Sequence, residues 1–139
     1  QIADATNMLG QLYAATGATK QAQQKFIQAN GIYEQLAAEN PSVSYQAKLA
    51  RNDYDLCTLY ADYGDSQHMD LAEQGFLRAK KIYERLVTED QLTYLIDLAK
   101  TCSCLGTLYS CMNRPELANE EFCRSRDLFE QDSKIHKFR

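Results

Sequence analysis

Proline and glycine are scarce in this chain of 139 residues, at 2 and 6, while 45% of its residues are hydrophobic and 24% are charged. That balance excludes a disordered, collagen-like or low-complexity polymer and predicts one folded domain with its own core. A basic excess is also lacking: 15 Lys and Arg stand against 19 Asp and Glu, a formal charge of -4. Nucleic-acid and anionic-membrane surfaces draw much of their affinity from such an excess, so neither partner is expected. No apolar run approaches the roughly 20 residues that span a bilayer, and no charged-then-apolar leader opens the chain. A soluble, cytoplasmic protein is the expectation. Five cysteines, Cys57, Cys102, Cys104, Cys111 and Cys123, form an odd set in a chain too large to need stapling, and are expected to be reduced thiols. The sequence opens at Gln1 and enters helical pattern at once, which reads as a piece of something longer.

Chemistry-bearing clusters are equally sparse. The two histidines, His68 and His136, fall in a predicted loop and in the C-terminal tail, with no Cys, His or carboxylate at a recurring ligand spacing. Cys102 and Cys104 point about 200° apart on a helix, and Cys104 and Cys111 stand roughly 10 Å apart along one, so neither pair shares an ion. Of the five, Cys104 and Cys111 are predicted to be the exposed thiols. Gly10 and Gly106 lie within helical pattern and make no phosphate loop. Glu120 with Glu121, and Glu89 with Asp90, are adjacent and diverge on a helix, which reads as solvated surface and not as an acid/base dyad. Arg78, Lys81 and Arg85 form a basic stripe, also read as a solvated face. No catalytic residue, metal or cofactor is predicted, and the chain does not read as an enzyme.

What the sequence does contain is a threefold repeat. Leu9, Gly10, Leu12, Tyr13, Ala22, Phe26, Ala29, Ile32, Tyr33 and Glu34 align with Leu56, Cys57, Leu59, Tyr60, Ala72, Phe76, Ala79, Ile82, Tyr83 and Glu84. A third set comprises Leu105, Gly106, Leu108, Tyr109, Ala118, Phe122, Ser125, Leu128, Phe129 and Glu130. Spacings of i, i+3, i+4 and i, i+4, i+7 within each copy predict two helices per copy. The predicted helices are 3–16, 19–38, 41–63, 68–87, 90–112 and 115–131, pairing into repeats 3–38, 41–87 and 90–131 of a single domain, 1–139. Gly17 closes the first helix, Asn40-Pro41 is read as an N-cap with an N1 proline, and Thr88 to Gln91 as a capping box. The middle copy carries three extra residues between Tyr60 and Ala72, assigned to a loop over Gly64–His68. The small Ala22, Ala72 and Ala118 mark close helix crossings, and Phe26, Phe76 and Phe122 are expected to fill the space between neighbouring hairpins.

The pattern Leu-Gly-x-x-Tyr, Ala-x-x-x-Phe, Ala, as in Leu9, Gly10, Tyr13, Ala22, Phe26 and Ala29, resembles the tetratricopeptide repeat over nearly the whole chain. Two features depart from that family. Thr6, Asp53 and Cys102 stand where a large aromatic is usual, and the period is 47 residues from Leu9 to Leu56 and 49 from Leu56 to Leu105, against about 34. The surplus is predicted to lengthen helices.

The resemblance implies an all-α chain of three antiparallel hairpins stacked as a right-handed superhelix, whose first helices line a groove that holds a peptide or a partner helix. The positions that map to this groove include Asn7, Gln11, Arg51, Tyr54, Asp55, Thr58, Asp62, Lys100, Ser103 and Thr107. Asp4, Cys104 and Ser110 fall on the same face. Of the residues with which part of the family grips a C-terminal carboxylate, only Lys100 is matched, and Asp55 with Asp62 would repel that group. The expected partner is therefore a protein or peptide of another class, with self-association through exposed terminal repeats. A second reading makes the chain a sensor or oligomerisation arm of a larger signalling NTPase or transcription regulator. Under it, Ile135 and Phe138 begin a further hairpin.

Overall fold

A computed structural model describes residues 2–137. Those residues are all-helical: α1 is Ile2–Ala15, α2 Thr19–Glu39, α3 Val43–Tyr63, α4 Ser66–Glu89, α5 Gln91–Cys111 and α6 Pro115–Lys137. Each helix packs on the next along the chain, and α1 and α3 also touch, as do α3 and α5.

The turns explain the boundaries. Gly17 adopts φ 81° and Asn113 φ 61°, and each terminates its helix in the same way. The amide after it donates to a carbonyl five residues back, Ala18 N to Tyr13 O and Arg114 N to Tyr109 O, both at 2.8 Å. Glycine and asparagine are the residues that tolerate this left-handed position, which satisfies carbonyls the helix would otherwise orphan. Pro115 then fits as the first residue of α6, where no amide is needed.

Three expected starts are corrected. Ser42, not Asn40, caps α3 by accepting from Tyr45 N, and Asn40 closes α2. Asp90 is itself the cap of α5, accepting from Thr93 N, while the Thr88 hydroxyl donates to Arg85 O at the end of α4. The extra residues of the middle copy are not loop: only Gly64 and Asp65 separate α3 from α4, and the surplus adds about one turn to the start of α4. His68 therefore sits in the first turn of that helix, stacked on Tyr63 with centroids 4.2 Å apart. At the other end, α6 runs on through Ile135, which packs against the core, so no new hairpin begins there. Phe138 lies outside the described residues.

The repeat columns occupy equivalent places. Ala22, Ala72 and Ala118 are buried, and so are Phe26 and Phe76; Phe122 is exposed, contrary to the expectation, because among the described residues no helix covers the side of α6 that faces away from α5. Gly10 and Gly106 make room for the aromatic ring of the paired helix. A Cβ at Gly10 would stand 2.6 Å from the Phe26 ring, and one at Gly106 2.7 Å from the Phe122 ring.

The apolar interior divides into two clusters. One gathers Tyr33, Leu49, Tyr83, Leu86, Leu95 and Leu98, and the other Phe26, Leu56, Phe76, Leu105 and Leu108. On α3 and α5 a polar layer lies between them in sequence register: Asn52, Asp53 and Thr101 are all buried. Its groups are satisfied internally, as buried polar groups must be. The Asn52 amide donates to Phe26 O at 2.9 Å, and Arg78 grips Asp53 with two hydrogen bonds of 2.7 Å. Arg78 is thus tied to a buried carboxylate and does not belong to a merely solvated stripe. Glu121 departs from expectation in the same way: it is buried and takes Lys80 Nζ at 2.6 and 2.8 Å, tying α4 to α6.

Candidate functional site

Helices α1, α3 and α5 present one face on which the ten mapped positions come together. Their helical spacing places them there: Asn7 and Gln11 on α1, Arg51, Tyr54, Asp55, Thr58 and Asp62 on α3, and Lys100, Ser103 and Thr107 on α5, at steps of three or four. Every one of them lines at least one of four neighbouring hollows of about 350, 300, 300 and 80 Å³. Arg51 borders three of the four.

Around Asp55 the polar groups are tightly interlocked. Its carboxylate accepts from Asn7 Nδ2 at 3.3 Å, from Gln11 Nε2 at 3.4 Å and from Arg51 Nε at 3.4 Å. Gln11 Nε2 also donates to Asn7 Oδ1 at 2.6 Å, and Asn7 donates to the buried Asn52 at 2.7 Å, so this part of the face is anchored to the interior. Burial pushes the Asp55 carboxyl above its ordinary value despite Arg51 and the two amides. Asp97, on α5, is also raised by burial, with Arg51 and Lys100 pulling it back. Among the described residues no side chain donates a hydrogen bond to Asp97. Its carboxylate borders two of the four hollows.

The largest of these four volumes reveals groups that mapping from the first helices alone missed. Tyr33 reaches in from α2 and donates to Asp4 at 2.5 Å, and Lys48 Nζ meets the other oxygen of Asp4 at 2.9 Å. Burial raises Asp4, but these two partners outweigh it and leave the carboxyl lowered. Tyr83 from α4 and Tyr94 from α5 complete the wall, their rings 6.4 Å apart. Tyr33 and Tyr83 are repeat columns, so their size was legible as packing; that both also line this hollow was not. The extra length of α3 and α5 before Arg51 and Lys100 was the available signal, since it brings Lys48, Tyr94 and Asp97 alongside.

Tyr54 is both packed and presented. It is half-buried, edge-on to Phe76 at 6.0 Å, and its oxygen accepts from Cys104 Sγ at 3.5 Å. Burial raises both the Tyr54 hydroxyl and the Cys104 thiol. Cys104 is thus half-buried, while Cys111 is the exposed thiol; among the described residues all five cysteines are unpaired. Thr58, Ala61, Phe76, Cys104 and Leu108 line the most apolar hollow of the face.

A larger hollow, about 620 Å³, lies elsewhere, between α2, α3 and α4. Its charged groups, Asp53, Arg78 and Glu34, together with Asn30, are spent on one another. The α1–α3–α5 face, with an unbonded carboxylate and exposed cation, is the better candidate. No helix among the described residues is long and apolar enough to cross a membrane.

No protein-family model matches the chain, and no curated protein matches it. Among solved structures it is similar to the crystal structure of BtubC (BKLC) from P. vanneervenii, at 15% identity and a TM-score of 0.47. That similarity covers 93% of this chain, which spans 63% of the length of that protein.

Proposed function

We propose that the chain is a tetratricopeptide-like helical solenoid whose α1–α3–α5 face is a groove for a protein segment, and that it acts by binding and not by catalysis. The observation that carries this reading is the gathering of all ten mapped positions around four neighbouring hollows, three of them bordered by Arg51. The chemistry of the face points to the kind of segment. An apolar side chain fits the hollow beside Phe76 and Leu108, where removal from water supplies the affinity. A basic side chain complements Asp97 and the exposed Asp62, which accept no side-chain hydrogen bond among the described residues, and that complementarity fixes register. Tyr54, between the two, contributes a ring held rigid by Phe76, the kind of preorganised aromatic that anchors bound segments.

An amphipathic peptide with one apolar anchor and one basic residue is therefore the expected ligand. The test is selection from a random peptide display library on the immobilised chain, with amide resonances then followed during titration of the best binder. Shifts confined to residues around Arg51, Tyr54 and Asp97 support the reading. Binders that shift only the α2–α4–α6 side contradict it.

A further inference from the structure

The junction between the second and third helix pairs repeats a polar arrangement of the first junction, with the charges exchanged and the bonds unmade. Tyr33, Asp4 and Lys48 stand in the columns of Tyr83, Arg51 and Asp97. Asp4 lies 47 residues before Arg51, as Leu9 does before Leu56, and Lys48 lies 49 before Asp97, as Leu56 does before Leu105. In the first junction the set closes on itself. The Tyr33 hydroxyl donates to one Asp4 oxygen at 2.5 Å, and Lys48 Nζ meets the other at 2.9 Å. In the second it stays open. Arg51 Nε turns to Asp55 at 3.4 Å, and among the described residues neither the Asp97 carboxylate nor the Tyr83 hydroxyl makes a side-chain hydrogen bond. Tyr83 is 2% exposed, yet among the described residues the one sealed side-chain nitrogen or oxygen without a partner is Asp132 Oδ1. The Tyr83 hydroxyl therefore meets open space, and Tyr83 borders two hollows that Arg51 and Asp97 also border.

We infer that these two hollows seat an arginine side chain of the bound segment, its guanidinium donating to Asp97 and to the Tyr83 oxygen with its plane against Tyr94. The inference rests on the reading of this face as a groove and names the basic residue that the groove takes. Charge selects a cation. Four carboxylates border the hollows of the face, Asp4, Asp55, Asp62 and Asp97, against three cations, Lys48, Arg51 and Lys100. Of these, Lys48 is taken by Asp4 and Arg51 by Asp55. Burial raises the Asp97 carboxyl and Arg51 with Lys100 offsets only part of that, so a cation brought within hydrogen-bond distance stabilises the ionised form. Geometry selects arginine over lysine. Two acceptors of different kinds border one space, and a guanidinium presents several N–H groups in a rigid plane, whereas an ammonium is a compact point charge. A guanidinium also stacks on an aromatic ring, and Tyr94, half-buried one turn before Asp97 on α5, lines the same wall.

The test titrates the purified chain with acetyl-arginine amide, acetyl-lysine amide and acetyl-citrulline amide, each to about 50 mM, and follows its amide resonances. Citrulline keeps the shape of arginine and removes its charge. The expected result is saturable shifts around Tyr83, Tyr94 and Asp97 with the arginine probe, which binds about tenfold or more tighter than citrulline and about threefold tighter than lysine. Tyr83→Phe keeps the buried ring and should remove the preference for arginine over lysine. Asp97→Asn should abolish saturation, whereas Asp127→Asn, which removes the same charge from an exposed position on α6, should change nothing. The comparison of arginine with citrulline is made on the unaltered chain and holds whether or not a variant folds. Equal binding of those two probes, shifts that do not saturate, or shifts indifferent to Asp97→Asn overturn the proposal. Display-selected segments that bind the face without a basic residue would also overturn the seat while leaving the groove. A saturating arginine probe with no selectable segment would support the seat and remove the groove.

Discussion

Cys57 and Gly75 share one space: the thiol of α3 lies where a Cβ on Gly75 of α4 would stand. In the first and third pairs the concession is made on the first helix, where Gly10 and Gly106 admit the rings of Phe26 and Phe122. In the middle pair the first helix carries the side chain and the second helix gives way. The close approach is kept while the residue that permits it changes helix.

This exchange predicts opposite outcomes for one substitution at two glycines. Gly75→Ala gains up to about 1 kcal/mol of helix propensity but forces the buried thiol aside, an overpacking cost of roughly 1–3 kcal/mol, so net destabilisation is expected. Gly31→Ala, on α2 with nothing within 4 Å of its Cβ position, keeps the propensity gain and stabilises by about 0.5–1 kcal/mol. Cys57→Ala combined with Gly75→Ala recovers about 1 kcal/mol or more relative to independent effects. Urea unfolding of the four variants measures all of these.

The Asp53–Arg78 pair is the second stability determinant. Asp53 is almost wholly buried, and Arg78→Met leaves its carboxylate with Asn30 as hydrogen-bond partner and the like-charged Glu34 nearby. Removing one partner of a buried pair costs about 3 kcal/mol, at the low end of the usual range because Arg78 itself is 38% exposed. Replacing both, Asp53→Leu with Arg78→Met, is expected to restore most of that loss. Chemical denaturation of the single and double variants measures the difference, and a double variant as unstable as Arg78→Met would contradict this assignment.

Titration should separate the carboxylates of the face. Asp55 and Asp97 are raised above the ordinary 3.8, chiefly by burial, and Asp4 is lowered below it because Tyr33 and Lys48 outweigh its burial. The stabilisation from Asp4 is present above 3.8 and is lost as pH falls through its lowered value. Asp55 and Asp97 act in the opposite sense: their contribution is full below 3.8 and disappears as pH rises through their raised values. Carboxyl carbon NMR shifts against pH should place Asp55 and Asp97 above 3.8 and Asp4 below. Arg51→Gln should raise Asp55 and Asp97 further and leave Asp4 in place, since Arg51 lowers only the first two.

Much of this organisation was legible in sequence because packing repeats. Columns such as Ala22, Ala72 and Ala118 recur at helical spacing, and the existence and order of all six helices follow from them. Caps were less legible: Asn40, Ser42, Thr88 and Asp90 are all capable of capping, and only the backbone path decides among them. The extra turn of α4 looked like loop because Gly64, Asp65 and Ser66 suit a turn, yet Asp65 caps the helix at once by accepting from His68 N at 3.3 Å. The buried polar layer was hidden for a related reason. Thr6, Asp53 and Cys102 stood out as departures from an aromatic column, but the partner that makes Asp53 tolerable, Arg78, is 25 residues away in sequence. The same holds for Lys80 and Glu121, 41 residues apart. On the candidate face, positions on the first helices were readable from their spacing, whereas Tyr33 and Tyr83 enter from the second helices.

The central claim, that the α1–α3–α5 face binds a protein segment, is tested most directly by calorimetry with a display-selected peptide. Arg51→Ala with Tyr54→Ala should weaken that peptide by at least tenfold, equivalent to about 1.4 kcal/mol, with helix content unchanged. Lys81→Ala, an exposed basic residue on α4 away from the hollows, should bind as the unaltered chain does. Equal affinity for the unaltered chain and the Arg51/Tyr54 variant, across independently selected peptides, would contradict the account.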